Sequence, residues 1–215
     1  MNAIDTRHLW EPFVDPVIQA QQAFRKIMKA IAEPGTLMDL GETYHGNRGA
    51  AAGCFPRPEL EAAFVIALSL LDRDTAVWVS PALAQEDFTD NLRFHCGARL
   101  TTTCREADFA FLRLGELRDL SGFKRGDEER PQCFATVIAL VDDLRVPTAS
   151  PLSDLARESP MLRLTGPGIR EQALLCLHPF TTIHEGLLRH NREDYPLGFD
   201  LLLVNGRHLV GLPRS

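Results

Sequence analysis

Residues 161 to 169, MLRLTGPGI, run from an apolar stretch into a glycine-proline-glycine turn. A turn of this kind can present successive backbone N–H groups to a phosphate. Gly166 and Gly168 fill the first two glycine positions of G-x-G-x-x-G, but the third position is Glu171. No G-x-x-x-x-G-K-[ST] follows either, so both nucleotide-binding fingerprints are incomplete. The sequence favours an architectural turn, with glycine supplying unusual dihedrals and proline fixing φ. A backbone anion site is the alternative.

Other residue types invite the same question. His178, His184 and His190 are six apart, a spacing that puts successive histidines on different faces of a helix. His184-Glu185 opens H-E-x-x-H, but Leu188 stands where the second histidine belongs, so a metalloprotease helix is excluded. Asp142 and Asp143 close the most strand-like run of the chain, where paired carboxylates could hold Mg²⁺; a solvated strand end is the favoured reading. There is no G-x-S-x-G and no cysteine signature of a nucleophile. Arg25, Arg93, Arg163, Arg170, Arg189, Arg192 and Arg214 could line an anion pocket, although most arginines simply solvate a face. The set proposed as anion ligands is Arg25, Arg93, His95 and Arg214. No catalytic, cofactor-binding or metal-binding residue is assigned.

The elements that must position these residues follow from hydrophobic periodicity. Asp15 and Pro16 are suited to open a helix, and Val17, Ala20, Phe24, Ile27, Met28 and Ile31 predict its apolar stripe, ended by Glu33-Pro34-Gly35. Residues 41 to 56 read as a loop. PELEAAFVIALSLLD predicts a buried helix, apolar nearly all round from Ala62 to Leu71. TAVWVS and ADFAFLRL predict strands, and CFATVIALV predicts a central strand covered on both faces. QEDFTDNLRFHCG predicts a helix with Phe88, Leu92 and His95 on one face. GFKRGDEERP reads as an exposed turn and VPTASPLSD as a loop. EQALLCL suits strand or helix. TTIHEGLLRHNRED predicts a helix with a stripe of Ile183, Leu187 and Asn191, and Asn205-Gly206 between apolar runs predicts a C-terminal β-hairpin. Helices interleaved with buried strands make a single α/β domain over residues 1–215, a sheet sandwiched between helices.

Composition narrows the function classes. The net charge of −6 argues against a nucleic-acid surface. No apolar run is long enough for a membrane helix, and the N-terminal MNAIDTRHLWEPF lacks the pattern of a signal peptide, so a cytoplasmic location is expected. The five cysteines (Cys54, Cys96, Cys104, Cys133, Cys176) are scattered and odd in number, which predicts reduced, buried thiols and no iron–sulfur cluster.

Four blocks resemble a known family. FVDPVIQAQQAFRKIMKAIAEPG near the start, NLRFH at 91 to 95, LRLTGPGI, and the closing YPLGFDLLLVNGRHLVGLPRS are together similar to PhnH, a subunit family of the bacterial carbon–phosphorus lyase system of phosphonate breakdown. The resemblance implies a three-layer α/β sandwich similar to PLP-dependent transferases but lacking the cofactor. It also implies PhnG, PhnI and PhnJ as partners, a homodimer of the isolated chain, and a role in joining an alkylphosphonate to C1 of the ATP ribose with loss of adenine. The lysines agree with the missing cofactor: Lys26 and Lys29 lie on the first helix and Lys124 in an exposed turn, none placed for a Schiff base.

Two functions follow. One is an accessory, non-catalytic subunit that binds partners through apolar surface. The other is a stand-alone enzyme or binding protein for a phosphorylated nucleoside or phosphonate, with Arg25, Arg93, His95 and Arg214 holding the anion. Asp200 is a candidate partner for Arg214 or Arg25.

Overall fold

The computed structural model describes residues 9–44, 55–84, 87–119, 121–147 and 160–215. Cys54 and most of the two loops read at 41 to 56 and 146 to 154 lie outside the described residues.

The alternating apolar runs form a seven-stranded mixed sheet. Its strands are β1 (Met38–Asp39), β2 (Ala76–Val79), β3 (Arg99–Leu100), β4 (Phe109–Arg113), β5 (Thr136–Leu140), β9 (Asp200–Asn205) and β10 (His208–Leu212). They are ordered β1-β10-β9-β5-β4-β2-β3. β3, β2, β4, β5 and β9 run parallel, while β10 and β1 are antiparallel additions at one side. The CFATVIALV run is indeed central: β5 sits between β4 and β9, and Val137 to Ala139 are fully buried. The Asn205-Gly206 hairpin forms as expected, with Gly206 at φ 55° joining β9 to β10.

One face of this sheet carries helices α1 (Pro16–Ala32) and α2 (Glu61–Leu70). Asp15 caps α1 by accepting from the Ile18 N–H, and Pro16 begins it. In α2 six successive residues, Ala62 to Ala67, are buried, so the helix is enclosed on all sides. The core beneath contains Phe64, Ile138, Leu202 and Leu209. Trp10 meets Phe55 and Phe64 edge-on and so ties the N-terminal segment to this core.

The opposite face is where the expected sandwich needs correction. It is covered by a second, antiparallel three-stranded sheet as well as by a helix. That sheet is ordered β6-β8-β7, with β6 (Asp143–Arg145), β7 (Met161–Leu164) and β8 (Ala173–His178). EQALLCL, ambiguous by periodicity, is strand β8. Leu144, Leu175 and Leu177 of this sheet pack on Val137, Ala139, Leu201 and Leu203 of the large one, joined by Leu187 and Leu188 of helix α5 (Thr182–Glu193). Between β2 and β3 lie two short helices, α3 (Pro81–Ala84) and α4 (Phe88–Asn91), and a π-helical turn, Leu92–Cys96.

Helix α1 buries only part of the stripe its periodicity predicts: Ile27 is buried and Ala20 and Ile31 pack against the core, but Val17, Phe24 and Met28 lie outside. Its buried residues are Gln19, Ala23, Ile27 and Ala30. Val17 is 79% exposed, Phe24 46% and Met28 45%. The reason is close approach: a Cβ at Gly211 of β10 would lie 2.5 Å from the Ala30 carbonyl oxygen. Small residues at the point of contact, Ala30 and Gly211, allow the helix backbone to come so near the strand. Gln19 fits the buried face because its polar ends are satisfied, Nε2 donating to Thr43 O and Oε1 accepting from Asp15 N.

Candidate functional site

The glycine-proline-glycine turn connects β7 to β8 and lies against the end of α1. Gly168 has φ 80°, and a Cβ there would stand 2.2 Å from the Ala32 carbonyl oxygen. Reciprocally, a Cβ at Gly35, φ 82°, would meet Ala173 at 2.7 Å and Leu164 at 3.1 Å. The glycines thus allow the end of α1 and the β7–β8 hairpin to interlock, which supports the architectural reading of the turn.

The interlock borders an open cleft of ≈ 260 Å³. One wall is β7 and its turn, with Arg163, Thr165 and Gly166. The other is α5, with Glu185, Leu188, Arg189 and Arg192, and the floor includes Leu162, Leu164 and Leu212. Residues 185, 188, 189 and 192 are spaced i, i+3, i+4 and i+7 and so share one helix face.

Asn191 supports this wall from within. It is buried, its Nδ2 donates to Phe199 O at 2.9 Å, and its Oδ1 accepts from Phe199 N at 3.0 Å. Gly198, φ 121°, makes room for it, because a Cβ there would lie 2.5 Å from Asn191 Oδ1. His184, also buried, fixes the start of α5. Its Nδ1 accepts from Thr181 N at 3.0 Å, so its Nε2 carries the proton shared with Leu114 O at 2.9 Å. Burial lowers the His184 pKa, with the charge of Arg118 adding to that and the bond to Leu114 O opposing it. Sequence reasoning placed Asn191 on an apolar stripe and missed its clamp. A polar residue in that register is the available signal. Ile183, expected on the same stripe, is exposed.

The four residues proposed as anion ligands do not form one pocket. Arg25 lies on the exposed outer face of α1. Arg93 is exposed and pairs with Asp90 at 3.1 Å. His95 sits in the same π-helical turn, edge-on to Phe64, with a buried Nε2 lacking a partner among the described residues; burial lowers its pKa, opposed by a bond with the Trp10 backbone. Arg214 follows β10, which is five strand steps from β3, about 24 Å at ordinary strand spacing. Its guanidinium lies 3.6 Å over the Phe134 ring. Asp200 does partner Arg214, through the backbone: the Arg214 N–H donates to Asp200 Oδ1 at 3.1 Å. Burial raises the Asp200 pKa against the pull of that bond and of the Arg214 charge.

The remaining candidates are engaged elsewhere. Asp142 faces His178 at 3.6 Å, and Asp143 pairs with Arg145 at 2.6 Å. Among the described residues, no group of three or more His, Cys, Asp or Glu is placed to hold a metal ion. Lys26 binds Glu42, Lys29 lies 3.8 Å from Glu33, and Lys124 binds Asp108, and none of them lines the cleft. Cys96, Cys104, Cys133 and Cys176 are free thiols, as expected, but only Cys176 is buried and Cys133 is exposed. Burial pushes the Cys96 thiol up to about 12.

The chain matches the family of bacterial phosphonate metabolism proteins, PhnH, over residues 11–215. It belongs to the PhnH family. It is 32% identical over 204 residues to the "Alpha-D-ribose 1-methylphosphonate 5-triphosphate synthase subunit PhnH" of Rhizobium meliloti (strain 1021), covering 94% of this chain and 92% of that protein. It is 28% identical over 218 residues to the "Putative C-P lyase subunit protein HtxG" of Stutzerimonas stutzeri, covering 100% of this chain and 92% of the relative. The PhnH match therefore spans both faces of the sheet, the interlocked turn and the cleft.

Proposed function

We propose that this PhnH-family chain is an accessory, non-catalytic subunit of a carbon–phosphorus lyase core complex. It serves the step that joins an alkylphosphonate to C1 of the ATP ribose with loss of adenine. PhnG, PhnI and PhnJ are its partners, the assembled complex acts as a transferase in the cytoplasm, and the isolated chain forms a homodimer. Near-full-length similarity to a protein named as a synthase subunit supports this reading.

The structural observation that carries it is the outer face of α1. Val17, Phe24 and Met28 fall within about 40° of arc at 100° per residue, and all three are exposed. Val14, Ile18 and Leu37 are exposed too. Burying such a stripe is the ordinary source of affinity between subunits. The fold is read as a relative of the PLP-dependent transferases without their cofactor, supported by the layered mixed sheet and by three lysines paired with carboxylates.

The test is turnover of ATP and methylphosphonate by the pure chain and by the chain co-expressed with PhnG, PhnI and PhnJ. Activity confined to the assembly is expected. Turnover by the pure chain would refute the reading and favour a stand-alone enzyme.

A further inference from the structure

We infer that the cleft between β7 and α5 binds a compact phosphate monoester or phosphonate. Arg163 of β7 and Arg189 and Arg192 of α5 line it, with Glu185 the one acidic side chain in its wall. The chain as a whole carries −6, so three arginine side chains beside one acidic side chain make the cleft locally basic.

None of the three guanidinium groups has an ion pair or a hydrogen bond among the described residues. Arg189 follows Glu185 by one helical turn, the spacing of an i,i+4 pair, yet the two do not bridge. Six other arginines, Arg57, Arg93, Arg125, Arg130, Arg145 and Arg207, pair with carboxylates.

Guanidinium forks match the oxygens of phosphoryl and phosphonyl groups, so an arginine-rich lining suits them. The leucine floor offers apolar contact to a small organic part. A volume of ≈ 260 Å³ is just below the usual ligand-pocket range of roughly 300–1,000 Å³, which points to a compact ligand and away from a dinucleotide. This inference does not depend on the subunit reading, since the site is complete in one chain.

Binding to the isolated full chain is measured by calorimetry with methylphosphonate, ribose 5-phosphate, ATP and inorganic phosphate. Methylphosphonate or ribose 5-phosphate is expected to saturate and to bind more tightly than ATP, and the tighter of the two identifies the source of the ligand; ATP binding tightest would contradict a compact ligand. Arg189→Gln and Arg192→Gln should each weaken binding of that tighter probe by roughly tenfold, as loss of a charged hydrogen bond does. Arg105→Gln, exposed and away from the cleft, should leave it unchanged. Glu185→Gln should tighten binding a few-fold, a gain that a merely structural role would not produce. No saturable binding, affinities untouched by the arginine variants, or inorganic phosphate binding as tightly as every organic probe would overturn the proposal.

Discussion

Gly168 and Ala32 are in backbone contact, so close that a Cβ on the glycine would lie 2.2 Å from the alanine carbonyl oxygen. Two segments separated by most of the domain are thereby locked: the end of α1 and the β7–β8 hairpin. The sequence feature that most resembles a phosphate loop serves packing first, and the arginines beside it supply the charge.

Gly168→Ala is expected to destabilise the fold by about 2–4 kcal/mol, combining a disfavoured left-handed backbone with the steric clash. Gly186→Ala is the contrasting case. It lies inside α5 with nothing within 4 Å of the added methyl, and should stabilise by about 0.5–1 kcal/mol. Urea denaturation of both variants checks the pair; equal and small effects would show that the interlock does not matter.

Asn191→Ala should cost about 2–4 kcal/mol, because it leaves the buried N–H and C=O of Phe199 without partners. The segment from Tyr195 to Phe199 should then exchange its amide hydrogens faster than β9 does. Unchanged exchange would mean that the clamp is dispensable.

Stability should fall as pH drops below about 6.5, the ordinary histidine value. Burial lowers His184 and His95 in the folded protein, so the unfolded chain binds protons more readily. Their contribution is complete above 6.5 and is lost as pH falls toward the depressed folded values. Thermal melts from pH 8 to 5 should show this decline, and His184→Gln should make it shallower while lowering Tm at pH 8. An identical slope in the variant would remove His184 from the account.

The elements legible in the sequence were those fixed by local chemistry. The Asp15-Pro16 helix start, the enclosed α2, the central β5 and the Asn205-Gly206 hairpin all form as read. The face of α1 was only partly legible: Ile27 is buried and Ala20 and Ile31 pack on the core as read, but periodicity ranks residues by hydrophobicity while Gly211 selects for small ones. Val17, Phe24 and Met28 satisfy the pattern of a buried stripe and lie outside. The second sheet was hidden for another reason. β6 has three residues, and β8 alternates too little to separate strand from helix. The site was partly legible: Arg163, Arg189 and Arg192 were among the possible anion ligands, but nothing local says that β7 and α5 face each other. Arg25, Arg93, His95 and Arg214, grouped by type, are dispersed by the strand order.

The central claim, that this chain works as a subunit, is tested most directly at α1. Phe24→Asp and Met28→Asp, made singly and as a double variant, replace exposed apolar side chains, so the fold should survive, with Tm near that of the parent. Size-exclusion chromatography of each variant co-expressed with PhnG, PhnI and PhnJ reads the interface. The account predicts that the parent chain co-elutes with its partners and that the double variant elutes apart from them. Co-elution of the folded double variant would place the interface elsewhere, and a parent chain that never joins the assembly would contradict the subunit function itself.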